Sequence, residues 1–251
     1  MTSAIRVAIA GPRGRMGQEA VLAVAGVNDM QLVACLDRHV QEEVIRPISV
    51  AGQEIPVFYS PSACFAETHP DVLVDFTNAH AAPSLIDEAV AQGVRPVIGT
   101  TGFPEDFLQH LDRSLKSREL GGLYAPNFAI GALLMMRASE IAARFLSDVT
   151  IVEYHHASKR DAPSGTAKKT AERIERTFLE RGVDATSPLI HSVRLPGFMA
   201  HQEVIFGGLD ERLTIRHDSM SRKSFMPGVL LGIREVMRVT GLVDGLEHFL
   251  W

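Results

Sequence analysis

Cysteine is scarce: Cys35 and Cys64 are the only two in 251 residues, too few for a disulfide scaffold and without the Cys-x-x-Cys spacing of a redox or zinc pair. A reducing cytosol suits such a chain. Positive charge is also short, since 25 Lys and Arg face 30 Asp and Glu for a formal net charge of -5. Proteins of nucleic acids or membrane surfaces normally carry a basic patch or stripe, so neither partner is expected. Long apolar runs are missing. The longest stretch without charge, Leu120 to Met136, is broken by Pro126 and Asn127 and falls short of the roughly 20 apolar residues that a spanning helix needs. The first residues, as far as Gly11, contain one arginine and too short an apolar run for a signal peptide. The expectation is a cytoplasmic protein.

What is present is an ordinary globular composition, 46% hydrophobic and 22% charged. At this length folding removes roughly 70 to 75% of the unfolded chain's surface from water, enough for two modest domains. Apolar runs at 5–10, 31–36, 72–76, 94–98 and 123–125 read as strands, and they alternate with helical patterns at 15–25, 82–92 and 106–118. That βαβ rhythm predicts a doubly wound parallel sheet with right-handed crossovers. After Asn127 the pattern changes. Helices at 131–145 and 166–181 are followed by strands at 149–155, 190–194, 202–207 and 211–217, which suits a second α+β domain built on a mixed sheet. A final helix at 227–239, stopped by Gly241, is apolar on most sides and is expected to return to the first sheet. The domains expected are therefore 1–128 plus 223–251 for a dinucleotide and 129–222 for substrate and oligomerisation.

The first strand runs into Gly11, Pro12, Arg13, Gly14, Arg15, Met16 and Gly17, with a helix after it. Glycines there allow a tight turn and close approach to a pyrophosphate, and the helix start attracts the anion. The spacing is G-x-x-G-x-x-G, unlike the commoner G-x-G-x-x-G. Asp37 closes the second strand, where an acid can bind the adenosine ribose. Arg38 follows it and suits a 2′-phosphate. NADH and NADPH both remain open. Asp75-Phe76-Thr77 and Gly99, Thr100, Thr101, Gly102 and Phe103 end later strands, where open α/β sheets bind ligands. Ala125, Pro126, Asn127 and Phe128 fall where the domains should meet.

The segment from Glu153 to Ala167 leaves a strand and enters a helix, and contains His155, His156, Lys159, Ser164, Gly165 and Thr166. Adjacent histidines at a strand end point to opposite sides and do not readily chelate one metal, so no metal site is expected. A loop histidine offers acid–base chemistry near neutrality, while the lysine ammonium can donate a proton or hold a carboxylate. The N–H groups opening the following helix suit a ligand carboxylate, and the glycine lets it approach.

On these motifs, together with Arg194, the 197–207 stretch containing His201 and Glu203, and 222–228, the sequence resembles the 4-hydroxy-tetrahydrodipicolinate reductase family. Its members are also called dihydrodipicolinate reductases and belong to diaminopimelate and lysine biosynthesis. The likeness spans nearly the whole chain. It implies a Rossmann-type first domain and reduction of a cyclic imine dicarboxylate by NADH or NADPH. It further implies His155 as proton donor or acceptor, Lys159 as a second proton donor, His156 as a substrate contact, and Gly165 with Thr166 as the carboxylate-binding pair. Cofactor positions implied are Gly11, Pro12, Arg13, Gly14, Arg15, Met16, Asp37, Arg38, Gly99, Thr100, Thr101, Ala125, Pro126, Asn127 and Phe128. A cytoplasmic homotetramer assembled through the second domain's sheet is also implied. Two departures stand out: Arg137, where lysine is common, and the Asp37-Arg38 pair, which leaves the nucleotide preference unsettled. Two rival classes remain, another nicotinamide oxidoreductase of similar layout and a non-catalytic dinucleotide sensor.

Overall fold

Residues 7 to 10 of the first strand have no exposed surface, the condition of a parallel strand covered on both faces. The computed structural model describes residues 3–37, 47–183 and 187–251. The chain divides into one unit of Met1–Phe128 with Phe225–Trp251 and a second of Ala129–Ser224.

The first unit contains β1 (Ile5–Ala10), α1 (Arg15–Ala25), β2 (Met30–Leu36), the small hairpin β3 (Ile48–Val50) and β4 (Gln53–Ile55), and β5 (Val57–Phe58). It continues with α2 (Pro61–Thr68), β6 (Val72–Asp75), α3 (Ala82–Ala91), β7 (Arg95–Ile98), α4 (Glu105–Ser117) and β8 (Gly121–Tyr124). Its main sheet has the order β13-β8-β7-β6-β1-β2-β5, in which β13 is the late strand described below. Every pairing in it is parallel. The chain leaves β1 to one side through β2 and later returns to its other side through β6, so the strand order reverses there. Such a reversal opens a crevice at the carboxyl ends of the strands. Helices α2, α3 and α4 pack in series, and α1 packs with the last helix.

The second unit contains α5 (Ile130–Ala142), β9 (Asp148–His155), α6 (Gly165–Glu180), β10 (Leu189–Arg194), β11 (Ala200–Gly208) and β12 (Glu211–Ser219). Its sheet has the order β10-β9-β11-β12. The β9–β10 pair is parallel and the others are antiparallel, so the sheet is mixed. Alternation puts Ile151 and Glu153 of β9 beside Val204 and Gln202 of β11 on one face, all buried. That face meets α5 and α6.

Back in the first unit, the final helix α7 (Met226–Glu235) packs on β7 and α1. It is shorter than the pattern suggested. Gly241, read as its stop, instead begins β13 (Gly241–Asp244), which pairs in parallel with β8. Edge pairing and a side chain of α4 outweigh the turn signal: Gly241 N–H reaches Leu120 O at 2.9 Å, and Leu242 N–H reaches Asp112 Oδ1 at 2.9 Å. No helix among the described residues is long and apolar enough to cross a membrane.

Candidate active site

The turn after β1 is built on close backbone approach. Gly11 has φ +77°, and a Cβ there would lie 2.6 Å from Phe76 O, a conformation and a contact that favour glycine. The Gly14 N–H closes the turn on Gly11 O at 3.0 Å. Helix α1 then begins with no side-chain cap and no acid in its first turn, leaving its N-terminal N–H groups suited to an anion. Beside this start lies a cavity of about 400 Å³ lined by Ala10, Gly11, Arg13, Gly14, Leu36, Asp37, Pro61, Phe76, Thr77, Asn78, Ala81 and Leu85. Asp37 is buried, with Arg13 Nε 3.5 Å from its Oδ2.

Farther along the same strand ends, Asp75 is fully buried. Its Oδ1 accepts from Thr77 Oγ1 at 2.6 Å and Thr77 N–H at 3.2 Å. Burial raises the carboxyl above its ordinary value, opposed by the hydroxyls of Thr100 and Thr77. Asp75 Oδ2 and Thr100 Oγ1 nevertheless lack a well-formed hydrogen bond in the structure. Gly99 packs under the Phe76 ring, which meets Phe128 edge-on at 5.9 Å between centroids. An uncapped helix start, a closed acid and orphaned polar atoms at the strand ends fit a dinucleotide along this edge.

In the second unit the chemistry gathers around a buried carboxylate. Glu153 has no exposed surface. Its Oε1 accepts from Ser192 Oγ at 2.6 Å and Arg194 Nη2 at 2.7 Å, and the Ser164 N–H reaches both oxygens at 3.1 and 3.2 Å. Burial works against this charge, but the bonds from Ser164, Ser192 and Arg194 outweigh it and hold the carboxyl below its ordinary value. His155, two residues on and on the same face, has Nδ1 3.4 Å from Glu153 Oε2 without hydrogen-bond alignment. Burial brings its imidazole down to about 4; Glu153 opposes this, while Lys159 and Arg194 add to it. Lys159 Nζ holds both oxygens of Asp161 at 2.8 Å. His156 turns to a different partner, Ser158 Oγ at 2.8 Å. Ser164 caps α6 by accepting from Ala167 N–H at 3.2 Å, and Gly165 is exposed at the helix start with nothing within 4 Å of the position a Cβ would take.

The low His155 value carries a sign for stability. An imidazole that titrates near 6.5 in the unfolded chain and about 4 in the fold leaves the unfolded state binding more protons between those values. Stability is then fully present above about pH 6.5 and falls as the pH drops toward 4. His155→Asn is expected to flatten the fall in Tm across that window, and an unchanged slope would count against a neutral, partly buried imidazole.

The structure thus brings Gly11, Arg13, Gly14 and Asp37 to one cavity. Pro12, Arg15 and Met16 occupy the turn and the helix start without lining it. Gly99, Thr100 and Thr101 follow β7, and Ala125, Pro126, Asn127 and Phe128 follow β8. Arg38 lies outside the described residues. His155, His156, Lys159, Gly165 and Thr166 share one strand-to-helix connection. Sequence reasoning gave no role to Glu153, Ser192 or Asp161; the available signal was an acid at the inward position of the apolar β9.

Residues 5–128 match the family described as dihydrodipicolinate reductase, N-terminus, and residues 131–250 match dihydrodipicolinate reductase, C-terminus. The chain is 47% identical to a 4-hydroxy-tetrahydrodipicolinate reductase of Geobacillus kaustophilus (strain HTA426), over 98% of this chain and 99% of the relative. A 4-hydroxy-tetrahydrodipicolinate reductase of Lysinibacillus sphaericus (strain C3-41) is also 47% identical, with the same coverage. Among solved structures, the dipicolinate-bound dihydrodipicolinate reductase from Paenisporosarcina sp. TG-14 is similar at a TM-score of 0.84 and 43% identity, covering 98% of this chain and 99% of that one.

Proposed function

The chain belongs to the dihydrodipicolinate reductase family, and from that premise we propose how its residues carry the reaction. The activity is the NAD(P)H-dependent reduction of 4-hydroxy-tetrahydrodipicolinate, with loss of water, to tetrahydrodipicolinate in lysine and diaminopimelate biosynthesis. Bound NADH or NADPH supplies the hydride. Gly11, Arg13, Gly14 and the start of α1 hold the pyrophosphate, Asp37 the adenosine ribose, and the 99–101 and 125–128 segments the nicotinamide end.

The second unit binds the substrate and manages its proton. Gly165 and Thr166 at the start of α6 take one carboxylate, and His156 contacts the ring. Addition of hydride to the conjugated imine leaves an enamine that must take up a proton. Lys159 supplies it. The neutral His155 accepts or returns a proton as the hydroxyl leaves, and the arriving carboxylates favour its charged form. The observation that carries this reading is one connection from β9 to α6 holding a partly buried neutral imidazole, an ammonium and an exposed helix start. The assay follows oxidation of NADH and of NADPH in parallel with enzymatically made substrate. Oxidation of at least one is expected; no substrate-dependent oxidation of either would overturn the assignment.

We extend the proposal to a cytoplasmic homotetramer formed through the second unit's sheet. Support comes from β9 and β11 residues that alternate with buried Ile151 and Val204, among them Val152, Tyr154 and Ile205. Light scattering behind a sizing column reads the mass, and a monomer at assay concentration would rule the assembly out.

A further inference from the structure

Glu153 is a fully buried carboxylate with no solvent to stabilise it, an arrangement that costs stability unless its partners are well placed. It has three bonded partners, and they come from two separate pieces of chain: Ser192 and Arg194 from β10, and the Ser164 N–H from the start of α6. The fourth group around it is the ring of His155. Here the geometry is incomplete, with Nδ1 at 3.4 Å from Oε2 and no other hydrogen-bond partner for that buried nitrogen. Two buried polar atoms that close to one another need only a small ring rotation to pair.

We propose that Glu153 is a positioning residue: its Oε2 takes the Nδ1 proton of His155, fixes that tautomer, and leaves Nε2 as the nitrogen that exchanges a proton with the substrate. It rests on the role given to His155 above. The proton transfers are balanced within the reaction already described, because Nε2 alternates between free and protonated while Nδ1 keeps its proton throughout. A carboxylate beside an imidazole holds the ring in one tautomer and favours the imidazolium when it forms. Glu153 also ties the ring to the substrate end, since the same carboxylate binds the Ser164 N–H one residue before Gly165. Charged groups around the ring are Glu153 on its own strand, Lys159 and Asp161 in the following loop, and Arg194 from β10. Glu153 is the one anion among them without exposure.

The test has two arms. Nitrogen-15 shifts of His155 in the ligand-free protein report the tautomer without any turnover: Nδ1–H is expected in the native chain, and Nε2–H as the main form there overturns the proposal whether or not Glu153 variants fold. In Glu153→Gln, which keeps shape and loses the charge, kcat is expected to fall roughly 10- to 100-fold, within the span of general acid–base effects. The His155-dependent limb of the kcat profile should move to lower pH because the imidazolium has lost its anion. Ser192→Ala removes a bond to Glu153 but no charge, and should leave that limb in place. A folded Glu153→Gln with an unchanged limb and tautomer overturns the proposal. Because the shift measurement needs no substrate, failure of the reductase assignment shows separately, as absent oxidation in the native enzyme.

Discussion

Lys159→Ala lowers kcat by about 100-fold or more and leaves dinucleotide affinity near normal. The second half of that expectation follows from placement. The cavity beside the glycine turn is lined wholly by residues of the first unit, whereas Lys159 follows β9 in the second. The first half follows from charge. Burial leaves the His155 imidazole neutral above about pH 4, so the ammonium is the group that arrives at the reaction carrying a proton. In the ligand-free chain it rests on Asp161, with Nζ 2.8 Å from both oxygens. Asp161 is exposed, so this ion pair is weak enough to be exchanged for a substrate carboxylate. Lys159→Arg separates proton donation from carboxylate binding, because guanidinium keeps the charge but does not give up a proton. If Lys159 donates, the arginine variant binds substrate and stays slow. Near-normal turnover of Lys159→Ala would remove the residue from the mechanism.

Much of this arrangement could be read without coordinates because several local signals agreed. β1 and α1 fall at 5–10 and 15–25 in both accounts, since the glycines that end the strand also open the helix and leave no freedom in the boundary. β13 could not be read. Its four residues show no alternation, and what makes them a strand is the β8 neighbour that receives them. Helix α2 had a local signal that carried little weight on its own: Ser60 accepts from Ala63 N–H at 3.4 Å and Pro61 takes the first helical position. In the site, the loop residues stood out by type and order. Glu153 did not, because its function depends on partners 11, 39 and 41 residues away. Such a carboxylate is visible from sequence only as an acid set among inward-facing apolar positions of a strand, and that pattern does not name its partners.

Gly17→Ala has the largest expected effect on stability, and the reason is again backbone. A Cβ at Gly17 would stand 2.0 Å from Gly11 O, 2.7 Å from Gly11 C and 2.9 Å from Pro12 Cα. None of these is a side chain that can rotate away. Gly11 is held in turn from two directions, by its N–H on Leu36 O at 3.0 Å and by the close approach of Phe76 O on the other side. The helix must therefore move off the sheet, opening the contact that Gly14 N–H makes with Gly11 O at 3.0 Å. Overpacking of this kind costs about 3 kcal/mol, which for a chain of this size lowers Tm by roughly 6 to 12 °C. Dinucleotide affinity should fall with it, because the displaced groups are the N–H donors at the start of α1. Gly165→Ala is the matched control, since its Cβ would meet nothing within 4 Å and its Tm should stay close to that of the native chain. A Gly17→Ala protein with native Tm and native dinucleotide affinity would mean that the turn and α1 are not locked together as their distances require.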